Sequence, residues 1–87
     1  MQQSTRYHNF KRTLEARLSR TGMSVHDIYD IINHAHPRDC DENEPCVHRG
    51  HHYQNGEWRH IVRNVLQGLK KEGVVIYDLK NRLWLRK

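Results

Sequence analysis

Eighty-seven residues with a formal net charge of +5 set narrow limits. They make one small domain, 1–87, whose core must be shared by every element. No apolar run approaches the roughly 18 residues of a membrane span, and the N-terminus lacks the basic, apolar, small-residue order of a secretory signal. A soluble, cytoplasmic chain is expected, nucleoid-associated if bacterial.

Met1–Thr5 reads as a frayed start. From Arg6 to about Ser19, Tyr7, Phe10, Leu14 and Leu18 recur at helical spacing, with Ser4 or Thr5 as a cap and Gly22 as the stop. Ser24-Val25-His26-Asp27 fits a capping box with Asp27 in place of Glu. Val25, Ile28, Tyr29 and Ile32 form the apolar stripe of a second helix, which Pro37 forbids from continuing.

Residues 36–56 show no period. This connection is long for a compact domain, so it is a functional loop or one held by an added constraint. It contains Cys40, Cys46, His48, His51 and His52, with His34 and His36 at or just before its start. Zinc takes four Cys or His ligands, and local spacing brings such a set together cheaply. A metal would also replace the apolar core that the loop lacks. The competing reading is a solvated acidic lobe made by Asp39, Asp41, Glu42 and Glu44. The C-x5-C-x-H spacing is not that of a common zinc finger, which favours the lobe and no cofactor.

The stretch Glu57–Lys87 is the most informative. Trp58, Ile61, Val62, Val65, Leu66 and Leu69 recur at helical spacing, and Gly73 ends a helix spanning 57–72. Asn55 or Gly56 is its cap. Val74–Tyr77 and Leu83–Leu85 then read as a β-hairpin over 74–86 with a turn at Lys80-Asn81. Pairing Tyr77 with Trp84 would direct Val74, Ile76, Leu83 and Leu85 to the core. The expected fold is mainly α with a small β-hairpin: a three-helix winged helix-turn-helix with a long loop between its second and third helices.

Charge follows this division. Residues 57–87 hold eight Lys or Arg against three acids, whereas residues 38–56 hold two against four. On the third helix, the acids Glu57 and Glu72 stand only at the ends. Its outward side carries Arg59, His60, Arg63, Asn64, Gln67, Lys70 and Lys71, the side-chain types that meet phosphates and base edges. Lys80 and Arg82 occupy the hairpin tip. A basic stripe on one element is the footprint of a polyanion. Double-stranded DNA is the expected partner. A protein-interaction module and an RNA-binding module, with Tyr53, Tyr77 or Trp84 stacking on bases, are the alternatives. Glycine-rich phosphate loops, nucleophile elbows and H-E-x-x-H are absent from the sequence, so no catalytic residues are expected.

The pattern W-x-x-x-[VI]-x-x-x-L-x-x-L-[KR]-[KR]-x-G is carried here by Trp58, Val62, Leu66, Leu69, Lys70, Lys71 and Gly73. With the following Leu83-Trp84-Leu85, it resembles winged-helix domains fused to bacterial restriction-type nucleases. These include the N-terminal domains of Mrr-like endonucleases and the DNA-sensing modules attached to HNH-type nucleases. The resemblance implies a DNA-reading sensor or specificity domain, with the catalytic part in a fused or associated nuclease. A small DNA-binding regulator fits the same residues.

Overall fold

In the computed structural model, residues 3–40, 46–48, 51–53 and 56–87 are described. The elements run α1 (Gln3–Arg17), α2 (Val25–Ala35), a 3-10 turn (Pro37–Asp39), β1 (Cys46–His48), β2 (His51–Tyr53), α3 (Glu57–Lys71), β3 (Val75–Asp78) and β4 (Leu83–Arg86). Three helices followed by an antiparallel hairpin give the order of a winged helix-turn-helix, with an insertion between α2 and α3.

Helix α1 begins earlier than its apolar spacing predicts, so Ser4 and Thr5 lie inside it rather than before it. It ends at Arg17, short of Gly22. Its stripe behaves as expected: Phe10, Leu14 and Leu18 are buried, and Tyr7 packs against the same cluster. The principal partner of α1 is α3. The two helices approach closely at Gly68, where a methyl group would run into the Tyr7 hydroxyl. At the far end of this contact, Lys11 Nζ donates to Glu72 Oε2 at 2.9 Å. The Glu72 carboxylate holds the Lys11 ammonium above its ordinary pKa.

Ser24 caps α2 as expected, its hydroxyl accepting from the Asp27 amide at 3.2 Å. Buried Ile28, Tyr29 and Ile32 face the core. Past Ala35, Pro37 opens the 3-10 turn. Cys40, which follows it, is buried in the apolar cluster.

The insertion is more regular than its sequence indicates. β1 and β2 pair antiparallel, with Cys46 opposite Tyr53 and His48 opposite His51. In the sequence, Arg49 and Gly50 stand between the two strands. The histidines on either side hid this pattern, because they give no apolar–polar alternation.

Helix α3 is set as its spacing predicts. Trp58, Ile61, Val62, Val65, Leu66 and Leu69 are all buried. Gly56 is the N-cap residue, without a side-chain bond. The C-terminus closes with the Gly73 amide bonding the Lys70 carbonyl at 3.1 Å and the Val74 amide bonding the Leu69 carbonyl at 3.0 Å. This paired closure needs a left-handed residue after the helix, and Gly73 supplies it with φ 78°.

The hairpin register is the expected one, Tyr77 opposite Trp84, but its faces are reversed. Val75 and Trp84 are buried at 1% and 8% exposure, whereas Ile76 is 46% exposed. Either face of β3 is apolar enough to be buried, so alternation alone could not choose. The choice is made by an unforeseen third strand position. Met23 forms a bridge with Trp84, its amide donating to the Trp84 carbonyl at 2.9 Å and its carbonyl accepting from the Trp84 amide at 2.8 Å. The Arg86 amide also bonds the Ser19 carbonyl at 2.8 Å. β4 is thereby held from both sides, and the α1–α2 connection lies over Leu83 and Leu85.

That contact depends on Gly22, with φ 105° and no side chain. A Cβ there would stand 2.9 Å from Leu83 Cδ1 and 3.1 Å from Leu83 Cβ. Gly22→Ala should destabilise the chain by about 1–3 kcal/mol, from the unfavourable φ and the displaced leucine together. A lowered urea midpoint with unchanged slope is the expected reading. An unchanged midpoint would show that the connection can move off β4 at no cost.

Candidate nucleic-acid interface

The side chains that α3 leaves outside form a continuous stripe. Residues four apart on a helix lie one above another, so Arg59, Arg63 and Gln67 make one row and His60 and Asn64 a second. Lys70 and Lys71 extend the stripe into the last turn. Arg63, Asn64, Gln67, Lys70 and Lys71 are exposed, and Arg59 and His60 are half-buried. The two lysines sit at the negative end of the helix dipole, which stabilises them there.

The upper part of the stripe is organised by α2. Arg63 Nε donates to the Tyr29 hydroxyl at 2.8 Å. The Arg59 guanidinium carbon lies 4.7 Å from the Trp58 ring centre and 5.7 Å from that of Tyr29. Those two rings meet edge to face at 5.5 Å, and the exposed His26 ring stands 6.2 Å from Tyr29. Tyr29 therefore touches both arginines and Trp58. With its Nε engaged, Arg63 keeps both terminal nitrogens for a bidentate acceptor.

Neither Tyr29 nor His26 was among the residues that the sequence marked. Tyr29 read as core, and it is core, but its hydroxyl accepts from the exposed Arg63. The signal was a tyrosine at the edge of an apolar stripe, since a buried ring of this kind needs a partner for its polar tip. Trp58 is the opposite case. Its Nε1 is buried and has no hydrogen-bond partner among the described residues. Its ring serves both as core and as the shelf beneath Arg59.

Lys80 and Arg82 are exposed at the tip of the β3–β4 hairpin, as expected. The tip is ordered by Asp78, whose Oδ1 accepts from the Lys80 and Asn81 amides at 3.1 and 3.2 Å. Asp78 Oδ2 accepts from Asn81 Nδ2 at 2.8 Å. The Asn81 side chain, followed by the Asn81 and Lys80 amides, keeps the Asp78 carboxyl below its ordinary pKa of 3.8. The depressed value means that these bonds favour the fold above 3.8 and lose that effect as pH falls through the lowered pKa. Arg82 closes the turn at φ 57°.

Of the proposed metal ligands, the side chains of Cys46, His48, His51 and His52 lie outside the described residues. Cys40 is buried among apolar side chains. His36 is turned toward α1. Its Nε2 is 2.7 Å from Thr13 Oγ1, and its ring packs on Phe10 at 5.5 Å. Among the described residues, no helix is long and apolar enough to cross a membrane. No protein-family model matches this chain, and no curated protein or solved structure matches it either.

Proposed function

We propose that the chain is a duplex-DNA-binding module that lays α3 in the major groove and the β3–β4 wing on adjacent backbone. One observation carries this reading. The outward stripe of α3 runs from Arg59 to Lys71 without an acid, and α2 orients one of its arginines through Tyr29. Arg63, Asn64 and Gln67 are suited to base edges, and Lys70, Lys71, Lys80 and Arg82 to phosphates. The module serves either as the sensor or specificity domain of a larger nuclease or as a small regulator. The chemistry of the reaction, in the first case, belongs to another domain.

The test is a binding comparison of duplex DNA, duplex RNA and single strands. Duplex DNA should bind tightest. Arg63→Ala should weaken that binding by about 1–3 kcal/mol, the worth of a good arginine–base contact. Arg12→Ala, on the exposed side of α1, should change it far less. Tyr29→Phe keeps the ring and removes only the hydroxyl, so its loss should be about 0.5–1.5 kcal/mol. That loss should vanish in an Arg63→Ala background, since the hydroxyl then has no guanidinium to hold. Equal effects from Arg63 and Arg12 would remove α3 as the reader. Preference for RNA or a single strand would reassign the partner.

A further inference from the structure

Leu79 stands apart from the rest of the surface. It is 79% exposed, and the only other exposed large apolar side chain among the described residues is Ile76 at 46%. Ile76 lies within the hairpin ladder, opposite Leu85. Leu79 lies beyond the ladder, after β3 ends at Asp78 and before β4 begins at Leu83. The shape of the turn does not depend on it. Asp78 makes the three bonds that order the tip, to Lys80 and Asn81. A plain solvated turn would place a polar residue there, as such turns ordinarily do. Instead, an ordered turn holds one leucine in water, next to Lys80 and three residues before the exposed Arg82.

We infer that Leu79 is an apolar wedge that enters the minor groove and presses between two base steps, while Lys80 and Arg82 take the flanking phosphates. The inference rests on the duplex-DNA reading above and adds a deformation of the duplex to it. The chemistry is complementary at both levels. A branched aliphatic side chain exchanges water for the faces of partly unstacked bases, and nearby phosphates meet the two cations of the same turn. Pyrimidine–purine steps such as TA unstack most easily and are the preferred sites of entry. A single leucine is small for a membrane surface, which binds through the wider apolar face of an amphipathic element. Asp78, the acid nearest the tip, is engaged within the turn, where its bonds spread its charge.

The experiment uses duplexes carrying 2-aminopurine at successive positions around a TA step, together with the 87-residue chain. Wild type should raise the emission at one step, because unstacking relieves quenching. Leu79→Ala should abolish that rise and weaken binding by about tenfold, the scale set by one buried leucine. Leu79→Met, which is unbranched but equally apolar, should keep the rise. Because Leu79 contributes nothing to the core, the circular-dichroism melts of both variants should match wild type.

Binding of wild type without an emission rise at any position would overturn the wedge and leave the duplex reading standing. So would a rise that persists in Leu79→Ala. Absence of duplex binding at low salt would overturn both. Binding to vesicles of anionic phospholipid that is lost in Leu79→Ala, without a response from the bases, would assign the tip to a membrane and overturn the wedge.

Discussion

Duplex-DNA affinity should fall by about 250- to 1,000-fold when salt is raised from about 50 to 200 mM. The expected log–log slope is about −4 to −5, corresponding to four to six neutralised phosphates. The cations available for those contacts are Lys70 and Lys71 on α3 and Lys80 and Arg82 on the wing, with Arg59 at the start of the α3 stripe. Their charge is poorly screened by nearby acids, since Glu57 and Glu72 lie at the ends of α3 and Asp78 is bonded into its turn. Each phosphate engaged releases condensed counterions, and added salt opposes that release. Anisotropy titrations at four or five salt concentrations measure the slope directly. Removing Lys70 and Lys71 together should make it shallower by about two units and leave sequence preference unchanged. An affinity indifferent to salt would sink the polyanion reading altogether.

Leu69→Ala should cost about 2–5 kcal/mol of stability, because the side chain is fully buried and its removal leaves a cavity. A small domain has about 5–15 kcal/mol in total, so the melting temperature should drop steeply. Trp58→Ala should be at least as damaging, but its effect divides in two. The indole fills the core and also supports Arg59, so this variant should lose DNA affinity even under conditions where it is folded. Leu69 has no such second role and is the clean probe of the core. Leu69→Ala with an unchanged melting temperature would mean that the helical phase of α3 is wrong.

The contrast between α3 and the hairpin explains what the sequence disclosed. In α3, the six apolar side chains occupy one arc and the polar ones the remainder, so a single phase satisfies all of them. The core residues and the outward stripe were therefore both legible. In β3 and the residue before it, Val74 to Tyr77 are apolar on both faces. The register with Trp84 could be read from the turn, but the buried face was decided by Met23, which lies far away in the chain. Tyr29 failed to stand out for a related reason. Its hydroxyl meets Arg63 across 34 positions of sequence, and no local spacing encodes that meeting. The strands β1 and β2 were missed because backbone pairing, rather than an apolar stripe, defines them.

The insertion between α2 and α3 has a consequence in time as well as in space. An ordinary helix-turn-helix joins these helices with three or four residues, whereas here residues 36–56 intervene. Closing the longer connection costs only about 1.5 kcal/mol more chain entropy than a four-residue turn. The native state can carry that, but the cost falls before the contacts that offset it have formed. The α1–α3 interface, which makes most of the core, must wait for this loop to close. A chain with the insertion cut to a short turn should therefore refold about tenfold faster while unfolding at nearly the same rate.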